Sequence, residues 1–143
     1  MGAKTALSEQ QYLHSAFPDL DKEYRDGELV ERTLPDFLHG ETQHLLSVFF
    51  GAHRKKHSLY AGAETRMKLR PGLYLIPDVA VFHHSRPSQD VPSTPPLVVI
   101  EILSPDDRLA AVREKLEQYP HGACRTCGSS TRIPSACTPA TPD

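Results

Sequence analysis

The run Pro96-Leu97-Val98-Val99-Ile100-Glu101-Ile102-Leu103-Ser104 is β-branched and aliphatic on both sides of a single carboxylate. Apolar residues at successive positions mark a strand covered on both faces, which calls for further layers above and below a central sheet. A charge is almost never fully buried without a partner. Glu101 therefore needs a reason, and the rest of the chain has to be searched for it.

At 143 residues the chain fits one domain with a core of ordinary size. Hydrophobic content of 38% and charged content of 24% suit a soluble globular protein. No apolar stretch reaches the ~18 residues of a membrane span, so no membrane partner is expected. The stretch from Met1 to Leu7 lacks an apolar signal core, which makes the cytoplasm the expected location. A formal charge of −2 gives no global bias towards nucleic acid. Basic residues do gather at His53-Arg54-Lys55-Lys56-His57 and alternate at Arg66, Lys68 and Arg70. Solvated faces account for most such clusters, and a nucleic-acid footprint is the other reading. All three cysteines, Cys124, Cys127 and Cys137, lie in the last 20 residues, so no disulfide framework supports the main body.

Ser8-Glu9-Gln10-Gln11 is a capping-box pattern that opens a short helix to about Ser15. Asp26-Gly27 predicts a turn feeding a strand at Glu28 to Arg32. Leu38, Leu45, Leu46, Phe49 and Phe50 recur at helical spacing, and the basic cluster suits the negative end of that helix dipole. Glu64 to Arg70 alternates as a half-buried strand. Pro71-Gly72 turns the chain into a second apolar strand, Leu73 to Phe82, broken only at Pro77-Asp78. After the central strand, Ser104-Pro105-Asp106-Asp107 predicts a helix start, and Leu109, Val112, Leu116 and Tyr119 mark the helix that follows. From Pro120 to Asp143 there is one Ile and no Leu, Val, Phe, Tyr or Trp, a composition that predicts disorder.

Two carboxylates, Asp78 and Glu101, stand where strands would be apolar. If those strands pair, the two could converge on a divalent cation, because Mg²⁺ takes oxygen ligands from one or two carboxylates plus substrate phosphates. Such a cation activates water and offsets charge at a phosphodiester. Lys115, on the helix directly after Glu101, is the candidate third element. Ordinary readings stand beside each: a turn aspartate after proline for Asp78, a structural ion pair for Glu101, a solvated helix lysine for Lys115, and an exposed hairpin residue for Glu28.

Four stretches together carry a resemblance: Asp26-Gly27-Glu28-Leu29-Val30-Glu31, Pro77-Asp78-Val79-Ala80-Val81, Leu97 to Pro105, and Glu114-Lys115-Leu116-Glu117-Gln118-Tyr119. In that order they resemble the Uma-type family, a bacterial group of restriction-endonuclease-like proteins within the PD-(D/E)XK nuclease superfamily, over about residues 5 to 119. The resemblance implies an α/β (α+β) fold with a mixed central sheet flanked by helices. It implies an endonuclease hydrolysing DNA phosphodiester bonds with Mg²⁺ or Mn²⁺, and it admits a homodimer. Asp78 and Glu101 would be the metal-binding acids, Lys115 the superfamily lysine moved from strand to helix, and Glu28 an auxiliary acid. The alternative is an inactive or degenerate member that acts as a nucleic-acid-binding or interaction module, or a pseudogene product.

The tail departs from the family pattern, which continues with a glycine-containing turn and an apolar strand ending in Val-Asp-Pro. Ala123 to Pro134 carries no such strand, yet with plausible codons a neighbouring frame spells Pro-His-Val-Trp-Leu-Val-Asp-Pro. The expectation is a restriction-endonuclease-like domain over residues 1–119 that lacks its final strand, and a disordered, frameshifted tail over 120–143. A rival reading makes His121, Cys124, Cys127 and Cys137 zinc ligands, although one Cys-x-x-Cys without a second pair is a weak zinc signal.

Overall fold

In the computed structural model, which describes residues 6–120 and 123–129, Ser8 caps α1 (Glu9–Leu13) as its sequence predicts. The Ser8 hydroxyl accepts the Gln11 N–H at 3.2 Å, and Gln11 Oε1 accepts the Ser8 N–H at 2.9 Å. Next, β1 (Glu23–Arg25) and β2 (Glu28–Val30) form a hairpin. Its two linking residues, Asp26 and Gly27, have φ of 49° and 97°, the left-handed pair that a two-residue hairpin turn demands. With β4 (Met67–Arg70) and β5 (Leu73–Leu75), the hairpin makes an antiparallel sheet in the order β2-β1-β5-β4.

A second sheet holds β3 (Leu59–Ala63), β6 (Val79–His83), β7 (Val98–Leu103) and β8 (Cys124–Ser129), in the order β3-β6-β7-β8. It is mixed: β7 and β8 are parallel and the other pairs antiparallel. The apolar run from Leu73 to Phe82 is thus two strands in different sheets. Pro77 has no N–H to donate to a ladder, and the chain leaves the first sheet at Leu75 and enters the second at Val79.

Both faces of β7 are covered, as the apolar run requires. On one side, Leu46 and Phe50 of α2 (Phe37–Ala52) pack against Val79, Val81, Ile100 and Ile102. On the other, Ala80, Phe82 and Val99 meet Met67, Leu73 and Leu75 of the first sheet, Leu116 of α4 (Leu109–Glu117), and Tyr119. Of the five positions in the predicted α2 stripe, Leu38, Leu45 and Phe49 stay exposed, because the face turned to the sheet is the one that holds His39, Gln43, Leu46 and Phe50. A short α3 (Arg54–His57) carries the basic cluster. Under α1, Tyr12, Tyr24 and Tyr74 form a third cluster, with Tyr12 stacked on Tyr24 at 5.0 Å between ring centroids. Among the described residues no helix is long and apolar enough to cross a membrane.

Three expectations are corrected. The segment Ser104 to Asp107 is a turn rather than a helix start: Asp107 Oδ2 accepts the Ser104 N–H at 2.7 Å and Oδ1 accepts the Thr33 hydroxyl at 2.8 Å. With that carboxylate committed, α4 begins at Leu109. Strand β3 has no counterpart in the sequence reading. The final strand, expected to be missing, is represented by β8, which pairs with β7 from Val98↔Cys124 to Leu103↔Ser129. A sheet edge offers unpaired N–H and C=O groups to any extended backbone, so a polar segment suffices there. The zinc reading falls partly outside the described residues, which include neither His121 nor Cys137.

Leu75 has no exposed surface and sits where the first sheet meets Val99 and Phe82. Leu75→Ala is expected to lower unfolding free energy by about 2–5 kcal/mol, read as a shift of the urea midpoint at unchanged slope.

Candidate active site

Strand parity brings the two carboxylates together. The β6–β7 register pairs Val79 with Ile100, and continuing it by one residue sets Asp78 beside Glu101. Both then share the face of Ala80 and Val99, which looks towards α4. Val112 and Leu116 seat α4 on that face, and Lys115 projects from the same side of the helix.

Lys115 Nζ lies 2.8 Å from Glu101 Oε1, 2.7 Å from Glu23 Oε1 and 2.8 Å from the Ile76 carbonyl, to which it donates. The Ile76 contact is a hydrogen bond and the other two are ion pairs, with Glu101 Oε1 left without a hydrogen-bond donor. Glu23 also accepts the Ile76 N–H at 3.0 Å and pairs through Oε2 with Arg25 at 3.2 Å. The backbone of Ile76 is therefore held on both sides, two residues ahead of Asp78. Asp78 itself accepts the Ile102 N–H at 2.6 Å through Oδ2, while its Oδ1 lies 3.2 Å from His39 Nε2 and 3.4 Å from Arg32 Nη2. These groups line one cavity of about 370 Å³, with Ser104, Asp107 and Arg108 at its other walls.

The two carboxylates titrate differently. Burial raises the Asp78 pKa, but hydrogen bonds from His39 and the Ile102 amide outweigh it and hold the carboxyl below its ordinary value. For Glu101 burial wins: against the pull of Lys115, and with Asp78 adding repulsion, it pushes the carboxyl up to about 7. Lys115 is disfavoured by burial, yet the Glu101 and Glu23 carboxylates keep its pKa above the ordinary value. The ammonium thus stays charged, and Glu101, which shares it with Glu23 and the Ile76 carbonyl, is the group short of positive charge. A hydrogen bond to Asp78 likewise raises His39, against an opposing effect of burial.

These shifts set a pH dependence. The folded state holds the Glu101 proton more tightly than the unfolded chain, so this stabilisation is complete below the ordinary 4.5 and is lost as pH rises through about 7. His39 acts in the same direction, losing its contribution as pH rises through its raised pKa. Asp78 contributes above 3.8 and loses that only in acid. Metal-free protein is expected to melt at lower temperature as pH rises from about 5 to about 8. Each pKa unit corresponds to about 1.4 kcal/mol, and Glu101→Gln should flatten the profile. A flat profile in the parent protein would contradict the assignment.

Of the sequence candidates, Asp78, Glu101 and Lys115 come together. Glu28 does not: it is exposed on β2, opposite Arg25 in the hairpin register, and is absent from the cavity wall. The acid that reaches Lys115 is Glu23, buried on β1 and facing the site from the strand before the turn. The Asp26-Gly27 turn was the available signal, because a two-residue turn requires a partner strand immediately upstream, which makes Glu23 a strand residue. His39 and Arg32 carried no such mark. The alternating cations are structural: Arg66 pairs with Asp21, Lys68 with Glu9 and Arg70 with Asp26.

Among the described residues no cluster of three or more His, Cys, Asp or Glu side chains suits a metal ion. The donor set here is two carboxylates, one of them short of positive charge. That suits a hard cation that completes its shell with water and phosphate oxygens, and not zinc, which takes three or four protein ligands.

Known proteins resemble this chain in fold and in sequence. A crystal structure of a "putative nuclease belonging to DUF820" from Anabaena variabilis ATCC 29413 superposes with a TM-score of 0.73 at 22% identity, covering 87% of this chain and 73% of that one. The likeness establishes the fold. No curated protein matches the sequence. Residues 9–124 match the Uma2 family, described as "Putative restriction endonuclease", and that span holds Glu23, Asp78, Glu101 and Lys115. The chain belongs to the Uma2 family.

Proposed function

We propose that the protein is a divalent-metal-dependent nuclease that hydrolyses phosphodiester bonds in DNA at the Asp78–Glu101 cavity. The observation that carries this reading is the convergence of Asp78, Glu101 and Lys115 from two strands and a helix onto one buried spot. Asp78 and Glu101 would hold Mg²⁺ or Mn²⁺. When bound, such a cation lowers the pKa of water and offsets charge on the phosphodiester. Arg32, His39 and the Ile102 amide fix the Asp78 carboxylate in place. Glu23 anchors Lys115 and, through Ile76, the turn that delivers Asp78. Lys115, beside Glu101 in the cavity, would offer its ammonium charge to a phosphate oxygen and so stabilise the transition state.

The test is nicking of supercoiled plasmid by metal-stripped protein. Millimolar Mg²⁺ or Mn²⁺ should restore cleavage and chelator should stop it; cleavage indifferent to metal would overturn the proposal.

One observation favours a second reading. Lys115 is engaged within the protein by a hydrogen bond to the Ile76 carbonyl and ion pairs with Glu23 and Glu101, so the network also works as a structural crosslink in a non-catalytic nucleic-acid-binding or interaction module. Calorimetric titration with Mn²⁺ separates the two: heat of binding supports the nuclease, and none at millimolar metal supports the module.

A further inference from the structure

We propose that Arg32 is the phosphate-binding residue of this site, its guanidinium turning to bring the unpaired Nη1 prong from its buried position onto a non-bridging oxygen of the scissile phosphodiester. This rests on the nuclease reading above and deepens it. The Arg32 side chain is 9% exposed and lines the cavity beside Asp78 and Lys115. Both of its ion-pair contacts run through Nη2, to Asp78 Oδ1 at 3.4 Å and to Glu64 Oε1 at 3.6 Å. Its Nη1 is buried and has no hydrogen-bond partner.

Arg25 and Arg66 also pair through Nη2 alone, but the buried nitrogen each leaves unpartnered is Nε, whereas in Arg32 it is the terminal Nη1 prong. Arg70 uses its whole fork, Nη1 and Nη2 each donating to one oxygen of Asp26 at 2.9 Å. Arg32 instead holds its carboxylates by one prong at long range and leaves the other unpaired in a site where burial makes an unmet donor costly. Planar donors of this kind match phosphate oxygens. The cavity wall also carries Arg108, which is exposed and makes no ion pair among the described residues. Arg108 lines the same cavity as Arg32 and is the candidate for a second phosphate of a bound strand.

The test uses full-length protein carrying Glu101→Gln, which holds DNA without cleaving it. Affinity for a fluorescein-labelled duplex is measured by anisotropy across roughly 50 to 200 mM salt. Each phosphate contact contributes about 0.9 to the slope of log affinity against log salt, equivalent to about eightfold at ~0.1 M salt. Arg32→Gln should lower the slope by about one contact and weaken binding about eightfold. Arg32→Lys should keep the slope while losing part of the affinity. Arg108→Gln, at an exposed position that folding does not need, should also lower the slope by about one. Mn²⁺ affinity, measured in protein with native Glu101, should not weaken in Arg32→Gln, since a cation beside Asp78 is being removed. A structural Arg32 would give a lower melting temperature and weaker Mn²⁺ binding with an unchanged salt slope, which overturns the proposal. If Arg32→Gln fails to fold, an unchanged slope in both Arg32→Lys and Arg108→Gln, with undiminished affinity, overturns it instead. A parent protein that binds no DNA refutes the nuclease reading as well, so the two failures are distinct.

Discussion

Lys115→Met is expected to destabilise the protein by about 3–5 kcal/mol, the usual cost of removing one member of a buried ion pair. The substitution keeps most of the side-chain volume but leaves Glu101, Glu23 and the Ile76 carbonyl without their shared ammonium. Urea denaturation at pH 8 reads the effect, and a loss under ~1 kcal/mol would show that the ammonium is not what stabilises this cluster. The coupling can be isolated. Glu101→Gln combined with Lys115→Met removes the charge that the lysine compensates, so the double variant should be more stable than the two single losses added together. Glu23 and the Ile76 carbonyl still lack their donor in that background, so recovery should be partial.

Loss of either metal-site acid should reduce metal-dependent nicking to background, a fall of at least ~10²–10³-fold, the range for removing one electrostatic element of an active site. Glu101→Ala tests this on a residue whose burial already opposes its charge. Asp78→Ala is less clean, because it also strips the Ile102 amide, His39 and Arg32 of their acceptor. That adds about 1–3 kcal/mol of instability. Asp78→Asn is the sharper variant: its carbonyl oxygen can still accept the Ile102 N–H while the charge needed for the cation is gone. Plasmid cleavage that survives in both Asp78→Asn and Glu101→Ala would refute the assignment of these residues.

Much of the site's outline was legible before any fold was known. A carboxylate inside Val98–Leu103 and another after Pro77 are anomalies that apolar patterning exposes directly. The helix after Glu101 sits next to it in sequence, so Lys115 was within reach of the same reasoning. Glu28 was the expected auxiliary acid, but the acid beside Lys115 is Glu23, on β1, the other arm of the same hairpin. Strand β8 was unreadable because an edge strand is recruited by backbone hydrogen bonds, and Cys124–Ser129 carries no apolar pattern to announce it.

By itself the sequence determined what local chemistry dictates. The Ser8 cap, the left-handed Asp26-Gly27 turn, the doubly covered β7 and the need of Asp78 and Glu101 for partners all follow from residues close together in the chain. Only the tertiary structure decided which groups answer that need. Lys115 reaches Ile76 across 39 positions, Arg32 reaches Asp78 across 46 and Glu23 reaches Ile76 across 53. Helical and strand periodicities stop at the end of each element, so they carry no information about such pairings. The pairings arise when Pro77 sends the chain from one sheet to the other and packing of α4 buries the charges together, in surroundings of low dielectric where each must find its partner.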